Sequence, residues 1–166
     1  MRSVWFSAVT LPFDDFPAAP RIVFTDGACQ GNPGPGGWAW AESPARFESG
    51  YDVRTTNQRM ELMAVLMALE ANPGSLRIVS DSTYVVNCFK QRWWRGWRAR
   101  GWRNSRGDAV ANQDLWRPLV EQVIDVRAGE VELTWVKGHS GDPMNELVDC
   151  LAVEAARLQA AVSSLD

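Results

Sequence analysis

Histidine and cysteine are scarce in this chain: one His and three Cys among 166 residues. The cysteines, Cys29, Cys88 and Cys150, are odd in number, widely separated and outside any Cys-x-x-Cys pair. That argues against a disulfide framework and a zinc site, and fits a reducing cytoplasm. No apolar run approaches the length of a membrane span, so no membrane role is expected. Internal repeats and low-complexity linkers are also lacking. Residues 1–20 carry one Arg and an apolar stretch broken by Ser7, Thr10 and Pro12 before Asp14-Asp15. This is not signal-peptide composition, and the segment reads as an N-terminal extension of unknown role.

What remains is a chain that is 46% hydrophobic, suited to one globular domain with a proper core. Its net charge of −3 conceals an asymmetry: residues 90–107 hold 7 of the 17 basic residues and no acid, leaving 10 bases against 20 acids elsewhere. Such a basic island on an anionic body attracts an anionic partner locally.

Residues 21–26 alternate as a strand, Ile22 and Phe24 against Val23 and Thr25, and end on Asp26 before a turn rich in glycine and proline, residues 31–37. Open α/β sheets place ligands at such strand ends. Residues 37–41 and 45–53 have strand composition and complete a three-stranded antiparallel meander. Thr55 and Gln58 have the spacing of a capping box. A helix over residues 60–71 follows, apolar nearly all round except at Glu61 and Glu70, hence largely buried. Leu76 to Asp81 repeats the opening pattern of an apolar run ending on an acid, and a helix from Ser82 leads into the basic island. Asn112 or Asp114 caps a helix of residues 115–126 that contains Pro118. Residues 131–136 alternate as a strand, and a last helix spans residues 145–158. The expected fold is α/β: a mixed five-stranded sheet, three antiparallel then two parallel strands, flanked by helices.

Four acids stand where burial is costly: Asp26 and Asp81 at strand ends, Glu61 on the apolar helix and Asp149 on the last one. Each alone has an ordinary explanation as a cap, a surface position or an ion-pair partner, and the helix dipole by itself accounts for Glu61. Gathered at the open end of a sheet they repel one another, and hard divalent cations relieve that repulsion while taking oxygen ligands. Two Mg2+ ions, with Mn2+ as a substitute, suit such a set.

The motifs Thr25-Asp26-Gly27-Ala28-Cys29, Gly31 to Gly37, Thr56-Asn57-Gln58-Arg59-Met60-Glu61-Leu62, Ser80-Asp81-Ser82-Thr83-Tyr84, Lys137-Gly138-His139, and Asn145 with Asp149 follow one another along the chain. In these the sequence resembles bacterial type 1 ribonuclease H, from about Arg21 to Leu158. The resemblance implies a ribonuclease H-like catalytic domain over residues 21–160, a tail at 161–166, and a monomer. It implies an endonuclease that hydrolyses the RNA strand of RNA/DNA hybrids to 5′-phosphate and 3′-hydroxyl ends, with Asp26, Glu61, Asp81 and Asp149 as ligands of two metal ions. His139, the lone histidine, lies in a glycine-flanked loop ten positions before Asp149. By the same resemblance it has a mobile role in proton transfer or product release.

Reading RNA within a hybrid requires contact with 2′-hydroxyls, and the resemblance points to Gly27, Cys29, Asn32, Thr56, Asn57 and Gln58 for this. Gln58 stands where Asn is usual in the family, and Thr83 where a longer amide often follows the acid–Ser pair. The island at 90–107 looks like the basic protrusion with which some type 1 enzymes grip the DNA strand. Arg92, Arg95 and Arg98 would neutralise phosphates and Trp93 and Trp97 would face sugars or bases, while Trp102 is structural. Two other readings are disfavoured. A 3′ to 5′ exonuclease resembles a pattern with an acid two positions after the first Asp, where this chain has Ala28; a non-catalytic hybrid-binding module would lack one of the four acids.

Overall fold

Strands β1 (Arg21–Cys29), β2 (Gly34–Ser43) and β3 (Arg46–Thr55) form the antiparallel meander, and β4 (Leu76–Ser80) and β5 (Val131–Trp135) add in parallel on the other side of β1. The computed structural model describes residues 19–165, so the extension read at residues 1–20 lies almost wholly outside the described residues. The sheet has six strands, not five, in the order β5-β4-β1-β2-β3-β6. The added strand, β6 (Val162–Ser163), pairs with Glu48 and Ser49 of β3. Next to it the Ser164 hydroxyl accepts from the Phe47 N–H at 2.8 Å and donates to its carbonyl at 3.0 Å. Two residues are too few to display alternation, which is why this edge strand reads as part of a tail.

Helices α1 (Asn57–Ala71), α2 (Thr83–Lys90), α3 (Trp93–Ala99) and α4 (Gln113–Val120) contribute to one face of the sheet, and α5 (Pro143–Leu158) covers the other. The alternation of β2 sorts its side chains between the two faces. Trp38 and Trp40 enter the larger core with Val23, Met60, Leu62 and Trp116, whereas Ala39 and Ala41 meet Val148 and Ala152 of α5. Two glycines bring helices directly onto strand backbone. A β-carbon at Gly27 would overlap the backbone of Met60 and Glu61 in α1, and one at Gly37 would overlap the Ala152 carbonyl and the Ala156 nitrogen in α5. The helices that carry Glu61 and Asp149 are thereby seated against β1 and β2.

Two helix boundaries differ from the sequence pattern. The cap of α1 is Thr56, whose hydroxyl accepts from the Arg59 N–H at 3.4 Å; Thr55 is instead the buried last residue of β3, paired with Gly34. The expected helix of residues 115–126 is α4 followed by a π-helical turn, Glu121–Val126. Pro118 lacks the N–H that would continue the α-helical ladder, and the wider spacing begins just after it. Of the two expected caps, Asn112 is the N-cap residue of α4, with φ of 57° and its carbonyl accepting from the Leu115 and Trp116 N–H groups but no side-chain capping bond, whereas Asp114 pairs with Arg59 at 2.7 Å.

Replacing Gly37 by Ala forces α5 away from β2. A destabilisation of about 1–3 kcal/mol is expected in urea unfolding, and an unchanged midpoint would show that α5 has room to spare.

Candidate active site

Parallel pairing of β1 with β4 begins at Arg21 and Leu76 and stops at Thr25 and Ser80, whereas β1 continues to Cys29 against β2. Asp26 is therefore within its strand and not at the strand end expected from sequence. It is nonetheless the first β1 residue beyond β4, at the carboxyl end of the parallel pair, where sheets of this kind open a crevice. Asp81 follows β4 directly, Glu61 comes from the second turn of α1 and Asp149 from α5. All four line one cleft of about 290 Å³ together with Gly27, Ala28, Cys29, Asn57 and His139.

Asn32, Thr56 and Gln58 do not line the cleft; they surround the start of α1. Asn32 Oδ1 accepts from the Asn57 N–H at 3.3 Å, Thr56 caps the helix and Gln58 is exposed. The acids themselves are held by neighbours. Glu61 accepts from Asn57 Nδ2 at 2.8 Å on one oxygen and from the Ser82 hydroxyl at 2.5 Å on the other. Asp81 Oδ2 accepts from Asn145 Nδ2 at 3.3 Å, and the Asp81 carbonyl accepts from Trp135 Nε1 at 3.1 Å. Asp26 Oδ1 accepts from the Gly27 N–H at 2.7 Å.

Ser82 and Asn145 were not among the site residues read from sequence. A signal for Asn145 existed: it precedes Asp149 by one helical turn on the same face. It is buried, and its Oδ1 has no protein partner.

The cleft is electrostatically unfavourable. Asp26 is only 8% exposed; burial, then the charges of Asp81, Asp149 and Glu61, push its pKa up to about 8 against the bond from the Gly27 N–H. Burial also raises Glu61, with Asp81 adding to the shift and the bonds from Ser82 and Asn57 opposing it. Among the described residues no three His, Cys, Asp or Glu side chains close into a metal cage; the carboxylates are set around an open cleft. Their all-oxygen donor set and their need for positive charge fit hard divalent cations.

A family model for RNase H matches residues 19–157. The chain belongs to the ribonuclease H family. It is 48% identical over 143 residues to the ribonuclease H of Syntrophomonas wolfei subsp. wolfei (strain DSM 2245B / Goettingen), covering 82% of this chain and 95% of that protein. It is 47% identical over 138 residues to the ribonuclease H of Granulibacter bethesdensis (strain ATCC BAA-1260 / CGDNIH1), covering 80% and 89%. Among solved structures it is similar to LC9-RNase H1, a type 1 RNase H with the type 2 active-site motif, with a TM-score of 0.69 and 30% identity over 87% of this chain and 78% of that one. The resemblance to bacterial type 1 ribonuclease H holds across most of the chain.

In this ribonuclease H family member the basic island is apart from the cleft, none of whose lining residues comes from it. Arg92 and Arg95 are exposed, but Arg98 donates to Asp125, with Nη1 at 3.0 Å from Oδ1. Trp97 packs on Trp116 at 5.3 Å and on Trp102 at 6.1 Å, and Trp93 lies 6.3 Å from Trp97. Trp94 lies under the guanidinium groups of Arg95 and Arg98 at 5.4 and 5.3 Å. Trp97 is thus the anchor of the island, tying it to the core.

Folding raises the Asp26 pKa from 3.8 to about 8, so between those values the folded state holds a proton that the unfolded state has lost. Stability of the protein in chelator therefore falls as pH rises from about 4 to about 8. Asp26→Asn flattens this slope and melts above the wild type at pH 8. Parallel curves of Tm against pH for the two proteins would refute the assignment.

Proposed function

We propose that this chain is an endonuclease that hydrolyses the RNA strand of RNA/DNA hybrids, leaving 5′-phosphate and 3′-hydroxyl ends. The observation that carries this reading is the convergence of Asp26, Glu61, Asp81 and Asp149 on one cleft in a member of the ribonuclease H family. These four residues would hold two divalent cations, Mg2+ or Mn2+, which when bound supply water activation and stabilisation of the leaving 3′ oxygen.

The chain's own residues supply the rest. Asn57 orients Glu61, and Asn145 orients Asp81. His139 is exposed at the cleft, in a loop between Gly138 and Gly141. There an imidazole can carry a proton between the leaving oxygen and solvent. Gly27, Cys29 and Asn57 in the cleft, with Asn32, Thr56 and Gln58 beside them, present small and carboxamide groups suited to ribose hydroxyls. Arg92 and Arg95 grip phosphates of the DNA strand, Trp93 faces its sugars or bases, and Trp97 holds the island on the core through Trp116. Arg98, already paired with Asp125, contributes less than the other two.

The decisive assay incubates the protein with a labelled RNA/DNA hybrid, double-stranded RNA or double-stranded DNA, with Mg2+, Mn2+ or chelator. Cleavage of the hybrid alone, only with metal, is expected; an intact hybrid under both metals would overturn the proposal. Asp26→Asn should reduce cleavage to background, whereas His139→Ala slows kcat by about 10²-fold, the lower end of general acid–base effects. Equal losses would remove the proton-transfer role. For the island, neutralising Arg92 and Arg95 together raises KM, leaves kcat unchanged and lowers the dependence of log KM on log salt by about 1 per arginine. An unaltered salt slope would locate the DNA grip elsewhere.

A further inference from the structure

We propose that Ser82 is a positioning residue that fixes Glu61 for metal binding, its hydroxyl oriented by the same contact that caps α2; this rests on Glu61 being a metal ligand. Ser82 is 5% exposed and is the N-cap of α2, where its hydroxyl oxygen accepts from the Val85 N–H at 3.3 Å. That contact uses a lone pair and leaves the single O–H proton free. A carboxylate can only accept, so the proton is directed at Glu61 Oε2, 2.5 Å away. Asn57 meets the other oxygen, so each Glu61 oxygen takes one protein donor and keeps acceptor capacity for the cleft. The Ser82 N–H is in turn accepted by the Ser80 hydroxyl at 3.1 Å, so serines on both sides of Asp81 brace the turn that carries it. Glu61 on α1 and Asp81 after β4 are thereby set relative to each other by one hydroxyl.

Three variants of the full chain separate this role from simple capping. Ser82→Ala loses both contacts, Ser82→Gly loses the bond to Glu61 but remains a competent N-cap, and Ser82→Thr keeps both. Mg2+ and Mn2+ binding is measured without substrate, by calorimetry and by the metal-induced rise in Tm. Ser82→Ala and Ser82→Gly should bind metal about 10–100-fold more weakly, Ser82→Thr like the wild type. At saturating metal kcat recovers and KM for the hybrid is unchanged. Wild-type metal affinity in Ser82→Gly would overturn the proposal and leave Ser82 as a helix cap. If the wild type gives no metal-dependent signal, or Glu61→Gln leaves that signal unchanged, the ligand role of Glu61 falls and this proposal with it.

Discussion

Mutual repulsion among four carboxylates is the constraint around which the rest of the molecule is arranged. It adds to the cost of burial: burial first, and then the charges of Asp81, Asp149 and Glu61, carry the pKa of Asp26, the most buried of the four, to about 8. None of the ion pairs among the described residues includes Asp26, Glu61, Asp81 or Asp149. The acids are left without internal counter-charge, and their gathering has to be imposed by packing. That packing is visible at each acid. β4 stops one residue short of Asp26, Gly27 lets α1 lie on β1 and Gly37 lets α5 lie on β2. The large core built from Trp38, Trp40, Met60 and Trp116 holds these contacts in place.

The same constraint explains the neutral donors around the site. Asn57, Ser82 and Asn145 each give a hydrogen bond to a carboxylate without bringing positive charge. A lysine or arginine there would neutralise the acids and compete with an external cation for them. Neutral donors fix the orientation of a ligand, lower its desolvation cost and leave its charge available. Buried Asn145 follows the same logic: its side chain is committed to Asp81 through its nitrogen, while its oxygen has no protein partner.

Legibility in the sequence followed the range of the interaction. The five main strands, the buried α1 and the four acids are marked by alternation, helical apolarity and motifs a few residues long, so they could be read directly. β6 could not, because a two-residue edge strand exists only through pairing with Glu48 and Ser49, more than a hundred positions away. The cap of α1 shifted from Thr55 to Thr56 because Thr55 is consumed by the end of β3. In the island, composition showed seven positive charges but not their partners. Arg98 is drawn off by Asp125 and Trp97 by Trp116, contacts across 27 and 19 positions that no local pattern encodes.

Cleft and island impose opposite electrostatic demands, and the fold meets them by separating the two groups while tying them to one helix. Outside residues 90–107 the chain carries 10 bases against 20 acids, so a polyanion is repelled from most of the surface and drawn to the island. The island does not line the cleft, so its positive charge does not substitute for a cation there. Yet α2 is capped by Ser82, in contact with Glu61, and ends at Lys90, two residues before the left-handed Arg92 that turns the chain into α3. Trp97 then locks α3 to Trp116, whose Nε1 donates to the Tyr84 hydroxyl on α2 at 2.8 Å. The spacing between the island and the four acids is therefore fixed by packed aromatic rings.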